Sequence, residues 1–112
     1  MTSFRTGDVV IVDYPHVETN QITRRPALVI SSRPVGPDGL VFWGIMITAA
    51  VNRGWPGDIN IDHYHQYGLP IPSVIRTAKI TTLETTGAER IGQVDPELLA
   101  EVRQVLVGNL GL

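Results

Sequence analysis

The chain has 112 residues, 43% of them hydrophobic and 18% charged, which suits one modest apolar core and excludes a disordered tail. It has no cysteine, so disulfide frameworks and thiolate chemistry are excluded, and the formal net charge of −2 excludes an overall basic field. A single domain over residues 1–112 is therefore expected, and any attraction for nucleic acid has to come from local charge. Six basic residues, Arg24, Arg25, Arg33, Arg53, Arg76 and Lys79, lie mid-chain, while Asp95, Glu97 and Glu101 lie near the C-terminal end.

The opening MTSFRTGDVV reaches charge at once, and no apolar run approaches the length of a membrane span. The reading is a cytoplasmic protein with neither signal peptide nor membrane segment. Val9, Ile11 and Asp13 alternate with Val10, Val12 and Tyr14, giving a first strand that starts after Gly7-Asp8, ends at Pro15 and is buried on both faces for part of its length. Residues 16–24 (HVETNQITR) read as a polar loop, and residues 26–32 (PALVISS) as a second strand with Arg25 at its entrance. Residues 33–39 (RPVGPDG) are turn chemistry, and residues 40–48 (LVFWGIMIT) return as a long third strand, antiparallel to the second.

A second loop follows at residues 49–57, then a short strand at 58–62 and an irregular stretch at 63–72 (HYHQYGLPIP). Further strands are expected at residues 73–80 (SVIRTAKI) and 90–94 (RIGQV). One helix is expected, with Asp95 as N-cap, Pro96 in its first position and Glu97 at the positive end of the dipole. Leu98, Val102, Val105, Leu106 and Leu110 fall on one face of it, as a core or subunit contact. Short strands closed by one amphipathic helix predict a mostly β, SH3-like barrel with a C-terminal α-helix.

The segments GDVVIVDYPHVETNQITRRPALVIS, IT at residues 47–48, VIRTAKITTLE from Val74 and IGQVDPELLAEVRQVLVGNLGL resemble the MazF/PemK toxin family across nearly the whole chain. The order and spacing of these pieces carry the resemblance; each alone is weak. It implies a barrel of the MazF/PemK/CcdB type, a homodimer, endoribonuclease activity on single-stranded RNA and inhibition by a cognate antitoxin protein, without cofactor. Family function carries over to Arg25, Thr48 and Arg76 as catalytic residues. Two departures stand out: Asn20 occupies the place of a Glu common in the family loop, and Ala78 that of a carboxylate some members carry two residues after the strand arginine.

RNA brings its own nucleophile, the 2′-hydroxyl, so cleavage requires in-line geometry, two proton transfers and stabilisation of charge on phosphorus, with no metal. Arg25 suits the phosphoryl oxygens, Thr48 can donate to the same group, and Arg76 adds a second charge. His16 and Glu18 are the candidate acid and base. Arg24, Asn20, Gln21, Arg53, Trp55 and Lys79 are the candidate RNA contacts. Trp43, flanked by apolar residues, reads as core, whereas Trp55 sits in a Gly-rich loop beside Arg53. His63 and His65 near Asp58 and Asp62 lack a compelling third ligand, so no metal site is assigned. Two other readings stand beside the nuclease: a non-catalytic barrel that poisons a protein target such as a topoisomerase, and a member that has lost activity and only binds its antitoxin.

Overall fold

The structure, a computed structural model, describes residues 3–16 and 21–112, with residues 15, 16, 21 and 22 described by their backbone alone. Six strands, β1 (Asp8–His16), β2 (Gln21–Val29), β3 (Val41–Ala49), β4 (Asp58–Ile61), β5 (Ser73–Glu84) and β6 (Glu89–Gln93), precede one helix, α1 (Pro96–Leu110). They form one antiparallel, curled sheet in the order β4-β5-β3-β2-β1-β6. This is the mostly β barrel-type fold with a C-terminal helix that the sequence predicts.

The curl gives the sheet an apolar cluster on each face. Because successive strand residues point to opposite sides, Val9, Leu28, Ile45 and Ile47 enter one cluster, and Val10, Val12, Ala27, Val29 and Met46 enter the other. The first cluster is closed by α1, through buried Val102 and the partly buried Leu98, Leu99, Val105 and Leu106. Leu110, expected on this stripe, is 66% exposed and projects past the core. The second cluster is closed by Phe4 against Phe42, with ring centroids 5.3 Å apart.

The helix start follows the sequence reading: the Leu98 amide donates to Asp95 Oδ1 at 2.9 Å, and the Tyr67 hydroxyl donates to Asp95 Oδ2 at 2.8 Å. Tyr67 lies in a 3-10 turn (Tyr64–Tyr67) pressed onto β6, where only a residue without a Cβ fits at Gly92 beneath the Tyr67 backbone.

Several expectations need correction: the second strand ends at Val29 rather than at residue 32, and β5 runs on to Glu84 rather than ending at residue 80. Residues 16–24 do not form a simple loop, because β2 begins at Gln21 and pairs with β1 from His16↔Gln21 to Val9↔Leu28. The polar composition concealed the strand, since backbone pairing with β1 needs no apolar side chains. Trp43 is not core: it is 49% exposed, because it shares the face of Ile45 but lies outside the cluster that α1 closes. Its backbone amide donates to Ser31 Oγ at 3.1 Å.

Two irregularities of the sheet open space near the end of β3. The β2–β3 ladder covers only Ala27↔Met46 to Val29↔Gly44, so the first two thirds of β2 have a free edge on that side, and Pro26, which has no N–H to offer, sits on it. The β3–β5 register also jumps: Ile45 faces Ile80 but Ile47 faces Ile75, which leaves Arg76, Thr77, Ala78 and Lys79 outside the β3 ladder. The ladder is irregular there, and bulged strands re-aim the side chains they carry.

Ile45 and Ile80 face each other across β3 and β5, yet Ile45 is fully buried and Ile80 is 51% exposed. Ile45→Ala should therefore cost about 2–5 kcal/mol in urea denaturation, and Ile80→Ala within about 0.5 kcal/mol. Comparable losses in the two variants would contradict the placement of the core.

Candidate functional site

The adjacent arginines of β2 separate by strand alternation. Arg24 pairs across the ladder with Asp13, donating from Nη1 to Oδ1 at 2.9 Å and to the Gly87 carbonyl at 3.3 Å, with Glu89 at 3.9 Å. Arg25 pairs with Val12 and shares the face of Ala27 and Val29, so it lies at the open end of the second cluster. There it lines a cleft of about 170 Å³ with Tyr14, Met46, Ile47, Thr48, Arg76 and Lys79. Its Nε is buried and has no hydrogen-bond partner among the described residues. A buried donor left unmatched costs about 1–3 kcal/mol and calls for an explanation.

Arg76 is held differently. Its Nε and Nη2 donate to Asp58 Oδ1 and Oδ2 at 3.2 and 3.0 Å, and Nη2 also donates to the Asn52 carbonyl at 2.7 Å. The guanidinium carbon lies 4.3 Å from the centroid of the half-exposed Trp55 ring. Asp58 Oδ2 accepts in addition from the Gly54 and Trp55 amides, each at 3.2 Å. The Arg76 hydrogen bonds hold the Asp58 carboxyl below its ordinary value, against the opposing effect of burial. Trp55 therefore belongs with Arg76 rather than with Arg53, which is exposed on the same loop.

Thr48 closes the cleft from the end of β3, and its Oγ1 accepts from Asn52 Nδ2 at 3.1 Å. Lys79 Nζ lies 5.0 Å from the Tyr14 ring centroid. The cleft thus gathers three cations, Arg25, Arg76 and Lys79, with Asp58 pairing one of them. On the other side of Arg25 and Thr48, along the free edge of β2, a more apolar groove of about 440 Å³ runs past Pro26, Leu69, Pro70 and Ile71.

The structure brings Arg25, Thr48, Arg76 and Lys79 into one cleft and places Trp55 against it. Arg24 reaches the rim of the apolar groove, but its guanidinium is engaged with Asp13 on the opposite face. Glu18 and Asn20 lie outside the described residues, as do the side chains of His16 and Gln21. Among the described residues no group of three His, Asp or Glu side chains is placed to hold a metal ion. Sequence reasoning missed Asn52, Asp58 and Tyr14. The lone hint for Asn52 was a polar residue four positions after Thr48; Asp58 needed the β4–β5 register.

The family model for PemK-like, MazF-like toxins of type II toxin-antitoxin systems matches residues 5–109. The chain belongs to this family. No curated protein sequence matches it significantly. Among solved structures, it is similar to a MazE-MazF structure from Deinococcus radiodurans (Form-II), with TM-score 0.75 and 22% identity over 100% of this chain and 99% of that one. It is also similar to MazF from the same organism (Form-I), with TM-score 0.74 and 22% identity over 100% of both chains. A further MazE-MazF structure (Form-III) has TM-score 0.74 at 22% identity over 98% of each chain. At this identity the likeness carries the fold.

The Asp58 pairing makes a pH prediction for this toxin-family fold. A carboxyl whose folded pKa lies below the ordinary 3.8 contributes stability that is present above that value and lost as pH falls through the folded pKa. Wild-type protein should accordingly lose more stability than Asp58→Asn between about pH 6 and about pH 3, measured by urea denaturation at each pH. Identical acid limbs in the two proteins would show that the pair does not stabilise the fold.

Proposed function

We propose that this toxin is an endoribonuclease that cuts single-stranded RNA, with messenger RNA as its target, by attack of the 2′-hydroxyl and without a metal. The observation that supports this reading most directly is Arg25, a guanidinium with an unmatched buried Nε beside the Thr48 hydroxyl in a cationic cleft. A phosphodiester offers the acceptors such a group needs. In this reading Arg25 binds the phosphoryl oxygens as charge builds on phosphorus, and Thr48 donates to the same group. Arg76, already paired with Asp58, adds a weaker positive field and a fixed wall. His16 and Glu18 are the proposed proton-transfer groups, and Trp55, exposed on its outer side, is a proposed platform for a base.

The proposed working form is a cytoplasmic homodimer, since a domain this small gains a continuous RNA groove most simply by duplicating its cleft across an interface. The proposed inhibitor is a cognate antitoxin whose acidic or amphipathic segment orders on binding and occupies the hollows beside Arg25. The solved MazE-MazF structures of the same fold support a protein partner of this kind.

Purified protein incubated with a long unstructured RNA in EDTA should cut it, and cleavage that requires added magnesium would sink the mechanism. Arg25→Ala should lower the rate on the order of 100- to 1,000-fold while leaving the fold intact. Arg24→Ala, which removes a surface pair, should keep turnover and change mainly substrate affinity and its salt dependence. Equal loss of turnover in both would defeat the assignment. Growth arrest that survives Arg25→Ala without any RNA cleavage would favour a barrel that poisons a protein target.

A further inference from the structure

Asn52 ends a 3-10 turn (Ala50–Asn52) that follows β3 directly, so it returns over the strand end that carries Thr48. It makes two contacts with different parts of itself. Its side-chain Nδ2 donates to Thr48 Oγ1 at 3.1 Å, and its backbone carbonyl accepts from Arg76 Nη2 at 2.7 Å. One exposed turn residue thereby ties together two walls of the cleft that belong to different strands.

The side-chain contact fixes the chemistry of the hydroxyl. A threonine oxygen has one hydrogen to give and two lone pairs to receive with. With the Asn52 amide on one lone pair, the Thr48 hydrogen cannot point toward Asn52 and is left to donate elsewhere, and Thr48 itself lines the cleft beside Arg25. The backbone contact keeps the turn in register with Arg76, which Asp58 immobilises in turn. A free hydroxyl would rotate among several acceptors, so its donation to a phosphoryl oxygen would carry an orientational cost in each turnover.

We propose that Asn52 is a positioning residue of this site, which orients the Thr48 hydroxyl as a donor into the cleft while its own backbone braces Arg76. The inference rests on the ribonuclease reading of the cleft. Asn52 itself makes no contact with RNA: it acts through Thr48.

Asn52→Ala deletes the side-chain contact and keeps the backbone one, and at an exposed turn position it leaves the fold in place. It should lower kcat for RNA cleavage roughly threefold to tenfold, the scale of one net hydrogen bond, and leave KM unchanged. In a Thr48→Val background, which has no hydroxyl to orient, the same change should cost nothing further. Asn52→Asp, which can only accept, should draw the hydroxyl hydrogen out of the cleft and be slower than Asn52→Ala with Thr48 present. A loss confined to KM, or an equal loss with and without the Thr48 hydroxyl, would overturn the proposal and make Asn52 an RNA contact. Methyl relaxation of Thr48 by NMR gives a readout independent of activity: its order should fall in Asn52→Ala. An unchanged Thr48 methyl overturns the clamp, whereas an inactive wild-type protein with a loosened methyl in Asn52→Ala overturns the ribonuclease reading alone.

Discussion

The Arg76 wall of the cleft and the loop beside it depend on how the Arg76–Asp58 pair is satisfied. Both side chains are close to buried, at 12% and 8% exposure, where an ion pair repays its desolvation only with good geometry and further hydrogen bonds. The two are cross-strand partners on β4 and β5, so the ladder itself delivers the carboxylate to the guanidinium. Two backbone amides, a carbonyl and the Trp55 ring then complete the set around them. One consequence is a loop with fixed ends: residues 52, 54 and 55 are all hydrogen-bonded or stacked to this pair. A second consequence is electrostatic. With Arg76 neutralised by its partner, the two nearby cations not paired with a carboxylate among the described residues are Arg25 and Lys79.

Arg25 has the opposite design. It sits on the face of the sheet that carries Ala27 and Val29, at the point where that cluster opens, and its Nε meets no acceptor among the described residues. An acceptor brought by a ligand would relieve the cost of such a mismatch, about 1–3 kcal/mol. The irregular sheet makes room for it. The register jump on β5 and the short β2–β3 ladder both remove strand pairing next to Arg25, leaving a cleft on one side and a groove on the other.

Much of this was legible in the sequence, for reasons that differ by element. Asp95-Pro96-Glu97 announces a helix start through local capping alone, and the structure realises it. Alternation in residues 9–14 announces a strand buried on both faces, because Val9 and Val10 each need an apolar neighbour. The start of β2 was hidden, since its polar residues pair through backbone atoms that composition does not reveal. Trp43 misled for the complementary reason: apolar neighbours on its strand say nothing about whether its own position is covered. At the site, Arg25 and Thr48 were visible through a family resemblance, but Asp58 and Asn52 were not. Their roles depend on a strand register and on the geometry of a single turn, and neither leaves a local pattern in the chain.

An acidic protein with a cationic cleft has a specific reason to be built this way. The overall charge of −2 gives no long-range pull on a polyanion, so attraction acts only over the short distance at which Arg25 and Lys79 are felt. Selection among anions then falls to geometry. A phosphodiester in the proposed substrate and a carboxylate in the proposed antitoxin make the same demand on Arg25, a planar pair of acceptors or one strong acceptor at hydrogen-bond distance. They differ in what accompanies the anion. Nucleotides bring flat bases, for which the outer face of Trp55 is suited, while a peptide brings aliphatic side chains suited to the groove past Leu69 and Ile71. Both ligands would converge on the same guanidinium from different sides, so that an inhibitor need not imitate RNA in order to displace it.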